Sequence, residues 1–255
     1  MALQLIDAIT DGTRRVLTRT GGVLLVLLLA QQLLLVTSIN TLLAAEAPPA
    51  AANMVGLTIP VSGTVAGAIL LGTFFFSGVY FVVLSRAFAR PLPQLSSFPT
   101  ELYTRRVGRA TLSTLVGGII VFVAVMIGFA FLFLPGLFLA ACFLFFIFAV
   151  GVEDRGVISA LKRSWSLSKG NRLRLVAIVL ISGIVGAFVG AVPALFQLAG
   201  ASALGDVVSV LINGVLFTFV YAITAAAYLQ LARGEGGSGG PRSSAPTSAG
   251  PNPEI

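Results

Sequence analysis

GVEDRGVISALKRSWSLSKGNRLRL, residues 151–175, decides how the rest of the chain is read. It is the longest well-charged segment, and long apolar runs lie on both sides of it. Across all 255 residues, 57% are hydrophobic and only 10% are charged. A soluble domain carries about a quarter charged residues. So little polar surface cannot face water all round, and lipid must be the main solvent.

Within this stretch Asp154 is the expected N-cap of a helix and Gly170 its C-cap, with Lys169 near the negative helix end. Val157, Ile158, Leu161 and Trp165 fall within about 100° of the helix wheel. Lys162 and Lys169 flank that face, where long stems reach up to the headgroups. Trp165 is the only tryptophan, and an indole is favoured at the headgroup boundary. The helix is read as lying in the membrane surface. Its candidate lipid-contacting residues are Lys162, Arg163, Trp165 and Lys169.

Outward from it, apolar runs predict six spans, at about residues 22–43, 61–84, 110–134, 137–152, 175–198 and 207–231. Most are long enough to cross the roughly 30 Å hydrocarbon core at about 1.5 Å per residue. The fold class is an all-α, six-span helical bundle with interfacial amphipathic helices, its membrane domain covering residues 1–232. A Gly, Ser and Pro rich tail, 233–255, cannot bury enough to fold.

The first interfacial helix is expected over residues 2–19, with Leu5, Ile6, Ile9, Val16 and Leu17 on its apolar side. Gly21-Gly22 is expected to turn the chain into the bilayer. Pro91, Pro93 and Pro99 break any helix after span two, and a second short helix is expected to begin near Pro99. Pro135-Gly136 is expected as the tight turn between spans three and four. Small residues recur every four positions as stripes for close helix approach: Gly63 and Gly67 on span two, Ser182, Gly186 and Gly190 on span five, and Gly214, Thr218, Ala222 and Ala226 on span six. These faces serve packing within the chain, a protein partner or a second copy.

TRRVLT, residues 13–18, resembles a twin-arginine signal, and Ala45-Glu46-Ala47 has the form of a cleavage site. The apolar run is longer than a usual signal core, and Pro48 follows the cut, so an uncleaved anchor is expected. With six spans both termini share a side, and all sixteen Lys and Arg fall on it. The positive-inside rule places both termini in the cytoplasm, with the plasma membrane as the expected location. The same asymmetry argues against nucleic acid: the charge forms a belt matched to anionic lipid. Paired basic residues recur before each apolar hairpin, at Arg14-Arg15, Arg105-Arg106 and Lys162-Arg163. This predicts three modules, each a short cytoplasmic helix followed by two spans.

ALKRSWSLSKGN, residues 160–171, follows Glu153-Asp154 and precedes a hydrophobic span. It resembles a segment of the multi-span proteins grouped as the glycerophosphoryl diester phosphodiesterase membrane domain, with related domains of unknown function. The matching positions are Ala160, Leu161, Ser164, Trp165, Leu167, Lys169, Gly170 and Asn171. The resemblance implies an integral membrane protein. In some relatives the domain is fused to a soluble phosphodiesterase. Here the longest soluble segments are about 25 residues and there is no His, so that activity is not implied.

No catalytic constellation is visible. Glu153 and Asp154 are adjacent acids that read as helix caps, and Cys142, the single cysteine, reads as a buried apolar side chain. The expectation is a non-enzymatic accessory protein at the cytoplasmic leaflet, without cofactor or metal, acting on lipid organisation or membrane assembly. The alternative is a facilitator or channel for a neutral or lipid-like solute, with Gln31, Gln32, Asn40, Gln197 and Asn213 as its polar candidates.

Overall fold

The computed structural model describes residues 3–48 and 55–237, the side chains of 185 and 235–237 excepted. Among these residues all regular structure is helical. Six stretches are long and apolar enough to cross a membrane. Helix α1 is Leu5–Val16, and α2, Arg19–Glu46, is the first span. The second span is α3, Gly63–Phe88, followed by a 3-10 turn at Leu92–Ser96 and the short α4, Glu101–Thr104. The third span is α5, Val107–Phe131, and the fourth is split into α6, Phe133–Phe143, and α7, Phe146–Gly151. The central stretch forms α8, Val157–Ser168. The fifth span is α9, Arg172–Gly190, continued by α10, Val192–Leu198, and the last is α11, Ser202–Gly237.

The packing follows the three-module reading. The two spans of each module pair as a hairpin: α2 with α3, α5 with α6, α9 and α10 with α11. The first span of each module also packs on the second span of the module before it: α5 on α3, α9 on α6, and α2 on α11, which closes the circle. Each short helix likewise sits on the preceding module's second span: α4 on α3, α8 on α6 and α7, and α1 on α11. Every type of contact therefore occurs three times, and the modules are arranged cyclically. The second spans α3, α7 and α11 lie inside, where Phe81 stacks on Tyr221 and Phe148 on Tyr228. The main apolar core gathers at the end that carries the basic residues, around Tyr80, Leu84, Phe88, Phe145, Phe148, Ala222 and Tyr228.

Several expected boundaries move. The chain turns into span one at Leu17 and Thr18, whose hydroxyl caps α2 by accepting from the Gly21 N–H at 3.1 Å. Gly21-Gly22 is already helical. The turn between spans three and four is the single extended residue Leu132, and Pro135-Gly136 lies in the first turn of α6. Proline is tolerated there because its missing N–H has no helical partner to lose. Gly136 instead allows a close hairpin: a Cβ on Gly128 would lie 2.8 Å from the Gly136 backbone. The last helix runs to Gly237, five residues into the expected tail, and residues 238–255 lie outside the described residues. The residues just past the cleavage-like site, 49–54, do so as well.

Helix α1 does not rest on its apolar side alone. Its buried face is Ala8, Gly12, Arg15 and Val16, and it runs back along α11, with Gln4 bonded to Gln230 and Gly12 against Ile223. Ile6, Ile9 and Leu17 remain exposed. The small stripe of α11 is used as expected: Thr218, Ala222 and Ala226 are buried and Gly214 meets Leu29 of α2. The stripe of span five meets no neighbour within the chain, since a Cβ at Gly186 or Gly190 would meet nothing within 4 Å.

Candidate lipid-facing site at the basic end

The site is built on the connection between α7 and α8. Asp154 is not an N-cap. Gly156 takes that position, and Asp154 adopts a left-handed backbone with φ 51°. Its carboxylate accepts from the Arg86 guanidinium at 2.9 Å through one oxygen and from Arg105 through the other. Arg86 ends span two, is only 8% exposed, and also donates to the carbonyls of Gly151 and Arg105, at 2.8 and 2.7 Å. This one side chain therefore ties α3 to the connection that follows it and to the connection between α7 and α8. Arg15 does the same for the first module: it pairs with Asp11 and donates to the carbonyls of Phe88 and Arg90.

Glu153 is not a cap either. Its carboxylate accepts from Arg163 at 3.0 Å, from the Tyr228 hydroxyl at 2.7 Å and from Arg155. Burial alone would push this carboxyl up. The three hydrogen bonds and the charge of Arg163 outweigh it and hold Glu153 below the usual carboxylate range.

The inward face of α8 is small and polar. Ala160 is fully buried against α7. Ser164 accepts from the Phe145 N–H at 3.2 Å and donates to the Cys142 carbonyl at 2.8 Å. Ser168 shares its one proton between the Ser164 carbonyl of its own helix at 2.8 Å and the Cys142 carbonyl at 3.0 Å. These two hydroxyls serve the backbone groups released where span four breaks between α6 and α7, which is why the break persists in an apolar setting. Gly170 has φ 80°, the left-handed turn expected just past a helix end, and Asn171 accepts from the Leu3 N–H at 2.9 Å, docking the N-terminus. Four of the motif's positions, Ala160, Ser164, Gly170 and Asn171, thus hold the fold together.

The four candidate site residues divide. Lys162 and Lys169 are exposed and form no ion pair among the described residues. Arg163 turns inward to Glu153. Trp165 is 36% exposed and rests edge-on against Phe138, with ring centroids 5.8 Å apart. The Arg172 guanidinium lies 4.8 Å above the Trp165 ring, a cation–π contact absent from the sequence reading. Val157, Ile158 and Leu161 leave an apolar strip beside it, with Ile158 71% exposed. Arg86, Arg15 and Tyr228 were not candidates. The signal for Arg86 was its place in an apolar run two residues past the expected end of span two.

The polar candidates for a solute path do not converge. Asn40 donates to Asp206 at 2.7 Å and to the Leu57 carbonyl, joining the connection after span one to the start of α11. Gln31 donates to Ser77. Asn213 and Gln197 are exposed on separate helices, and Gln32 is half-buried.

These elements define a multi-pass, all-helical membrane protein. Residues 3–231 match the family described as Domain of unknown function (DUF7847), and the chain belongs to it. Nothing in the comparison names a glycerophosphoryl diester phosphodiesterase membrane domain, the group that residues 160–171 resemble. No curated protein and no solved structure matches the chain.

Proposed function

We propose that this protein is a non-enzymatic accessory factor of the cell membrane, with both termini cytoplasmic, that gathers anionic lipid at the cytoplasmic leaflet. The observation that carries this reading is how the charges are spent. Asp11, Glu153 and Asp154 are consumed by Arg15, Arg86, Arg105, Arg155 and Arg163. Arg14, Arg19, Arg106, Arg109, Lys162 and Lys169 are left exposed without an ion pair among the described residues, against only Asp7 and Glu101 of the exposed acids at this end. The surplus is outward-facing and positive. Beside it the apolar strip of Val157, Ile158 and Leu161 supplies a surface for acyl chains.

The test replaces Lys162 and Lys169 with Gln and leaves Arg163, which holds Glu153, in place. The protein is purified in mild detergent, and bound phosphatidylglycerol is counted against phosphatidylcholine by native mass spectrometry. Each cation near a membrane surface contributes about 1 kcal/mol, so the double variant should lose well over fivefold in selectivity. Unchanged selectivity would count against the proposal. A stoichiometric protein partner in place of lipid would redirect it to assembly.

A further inference from the structure

A groove of about 420 Å³ runs between spans one and two, lined by Leu27, Ala30, Leu34, Ile69, Thr73 and Phe76, with Gln31 beside them. Gln31 is 9% exposed, and its Oε1 has no hydrogen-bond partner. Its orientation is fixed by its neighbours. Ser77 donates its only proton to the Thr73 carbonyl at 2.9 Å, so it can only accept from the Gln31 Nε2. The Thr73 hydroxyl is likewise spent as a donor, on the Ile69 carbonyl at 2.8 Å. What remains unsatisfied at the edge of the groove is therefore a single acceptor, the buried Gln31 carbonyl oxygen. A buried acceptor left without a donor costs free energy, and more so in hydrocarbon.

Gln31 lies twelve residues past Arg19 on a helix rising about 1.5 Å per residue, close to the bilayer middle. A charged ligand is excluded at that depth, as no cation or acid lines the groove. The volume falls within the range of small-molecule sites, and it is lined almost wholly by apolar side chains. We infer that this groove binds an uncharged, hydroxyl-bearing lipid, a long-chain or polyisoprenoid alcohol, whose O–H donates to Gln31 Oε1 when a small turn of the amide brings that atom to the groove, while its chain lies along Leu27, Leu34 and Phe76. The inference is independent of the anionic-lipid reading, because the groove is at membrane depth and away from Lys162 and Lys169.

The full chain in phosphatidylcholine nanodiscs is photolabelled with a diazirine-bearing long-chain alcohol and, separately, with its methyl ether. The ether keeps the chain and lacks the donor. Labelled peptides are mapped by mass spectrometry. The expected result is labelling of 27–34 and 69–76 by the alcohol about fivefold above the ether, the worth of one hydrogen bond. Gln31→Met should bring the alcohol down to the level of the ether. Gly72→Leu should suppress both, since a Cβ there meets nothing within 4 Å and the side chain would fill open groove. Equal labelling by alcohol and ether overturns the inference, as does labelling spread evenly over the exposed spans. Should Gln31→Met fail to fold, the comparison of alcohol with ether on the unaltered protein still decides.

Discussion

Asp154 shows how much one carboxylate can organise. Removing its charge in Asp154→Asn leaves Arg86, 8% exposed, as a buried cation without its counter-charge. Such a loss costs about 3 kcal/mol, and the thermal midpoint in detergent should fall by several degrees with little recovery in high salt. Replacing both partners, Arg86→Met with Asp154→Leu, should cost less than Asp154→Asn alone, because no charge is stranded. Glu153 makes a separate prediction. Its folded pKa is depressed, so its contribution is present above the unfolded value, about 4.3, and is lost as pH falls through the folded value. The midpoint of the unaltered protein should therefore decline below about pH 4.5, and Glu153→Gln should remove part of that decline. Identical pH profiles would show that the Arg163 and Tyr228 bonds contribute nothing. Neither role was legible beforehand. An acid just before an apolar-periodic run has the pattern of a cap, and the true cap, Gly156, lies two residues on. The arginine that claims Asp154 is sixty-eight residues earlier in the chain, a distance no local pattern bridges.

At the scale of helices, small residues announce that a neighbour can come close, not that one does. Gly12 and Gly186 look alike in sequence. A Cβ on Gly12 would sit 2.7 Å from the backbone of Ile223, whereas Gly186 faces open space. Gly12→Leu should cost about 1–3 kcal/mol by overpacking and release α1 from α11, read as faster amide exchange across residues 5–16. Gly186→Ala should stay within about 0.5 kcal/mol of the unaltered protein. If Gly12→Leu protects α1 as well as the parent does, the docking of that helix is misplaced. The number and type of the spans were readable from apolar length, because bilayer thickness sets that length directly. The breaks were less so. Leu132 carries no turn chemistry, and its extended backbone follows from the Gly128–Gly136 approach rather than from its own side chain. Likewise Ser164 and Ser168 read as ordinary polar residues until the kink they serve, near Phe145, is on view.

For the molecule as a whole, the division into three modules was the part of the architecture that the recurring basic pairs made visible. They recur because each short helix ends where a hairpin enters the membrane. The apolar spans carry no such register, so the closing contact of α2 on α11 had no signature. Orientation is testable with single introduced thiols, since Cys142 is the only cysteine to remove. On a Cys142→Ala background, Val61→Cys should react with an impermeant maleimide in intact cells. Ser166→Cys, on the exposed face of α8, should react only after permeabilisation. The reverse pattern would invert the topology and move the lipid surface to the outer leaflet.

Closure by the last helix also has a consequence in biosynthesis. The face of α1 that holds Ala8 and Gly12, and the side of α2 that carries Leu29, are synthesised first and meet Ile223 and Gly214 only when α11 arrives. A nascent chain that has emerged only as far as α10 exposes that seam to the surrounding bilayer for the whole time the ribosome takes to reach residue 237. Closure of the ring is thus a late event, the arrival of α11, and a chain stalled or truncated before it presents an unclosed seam.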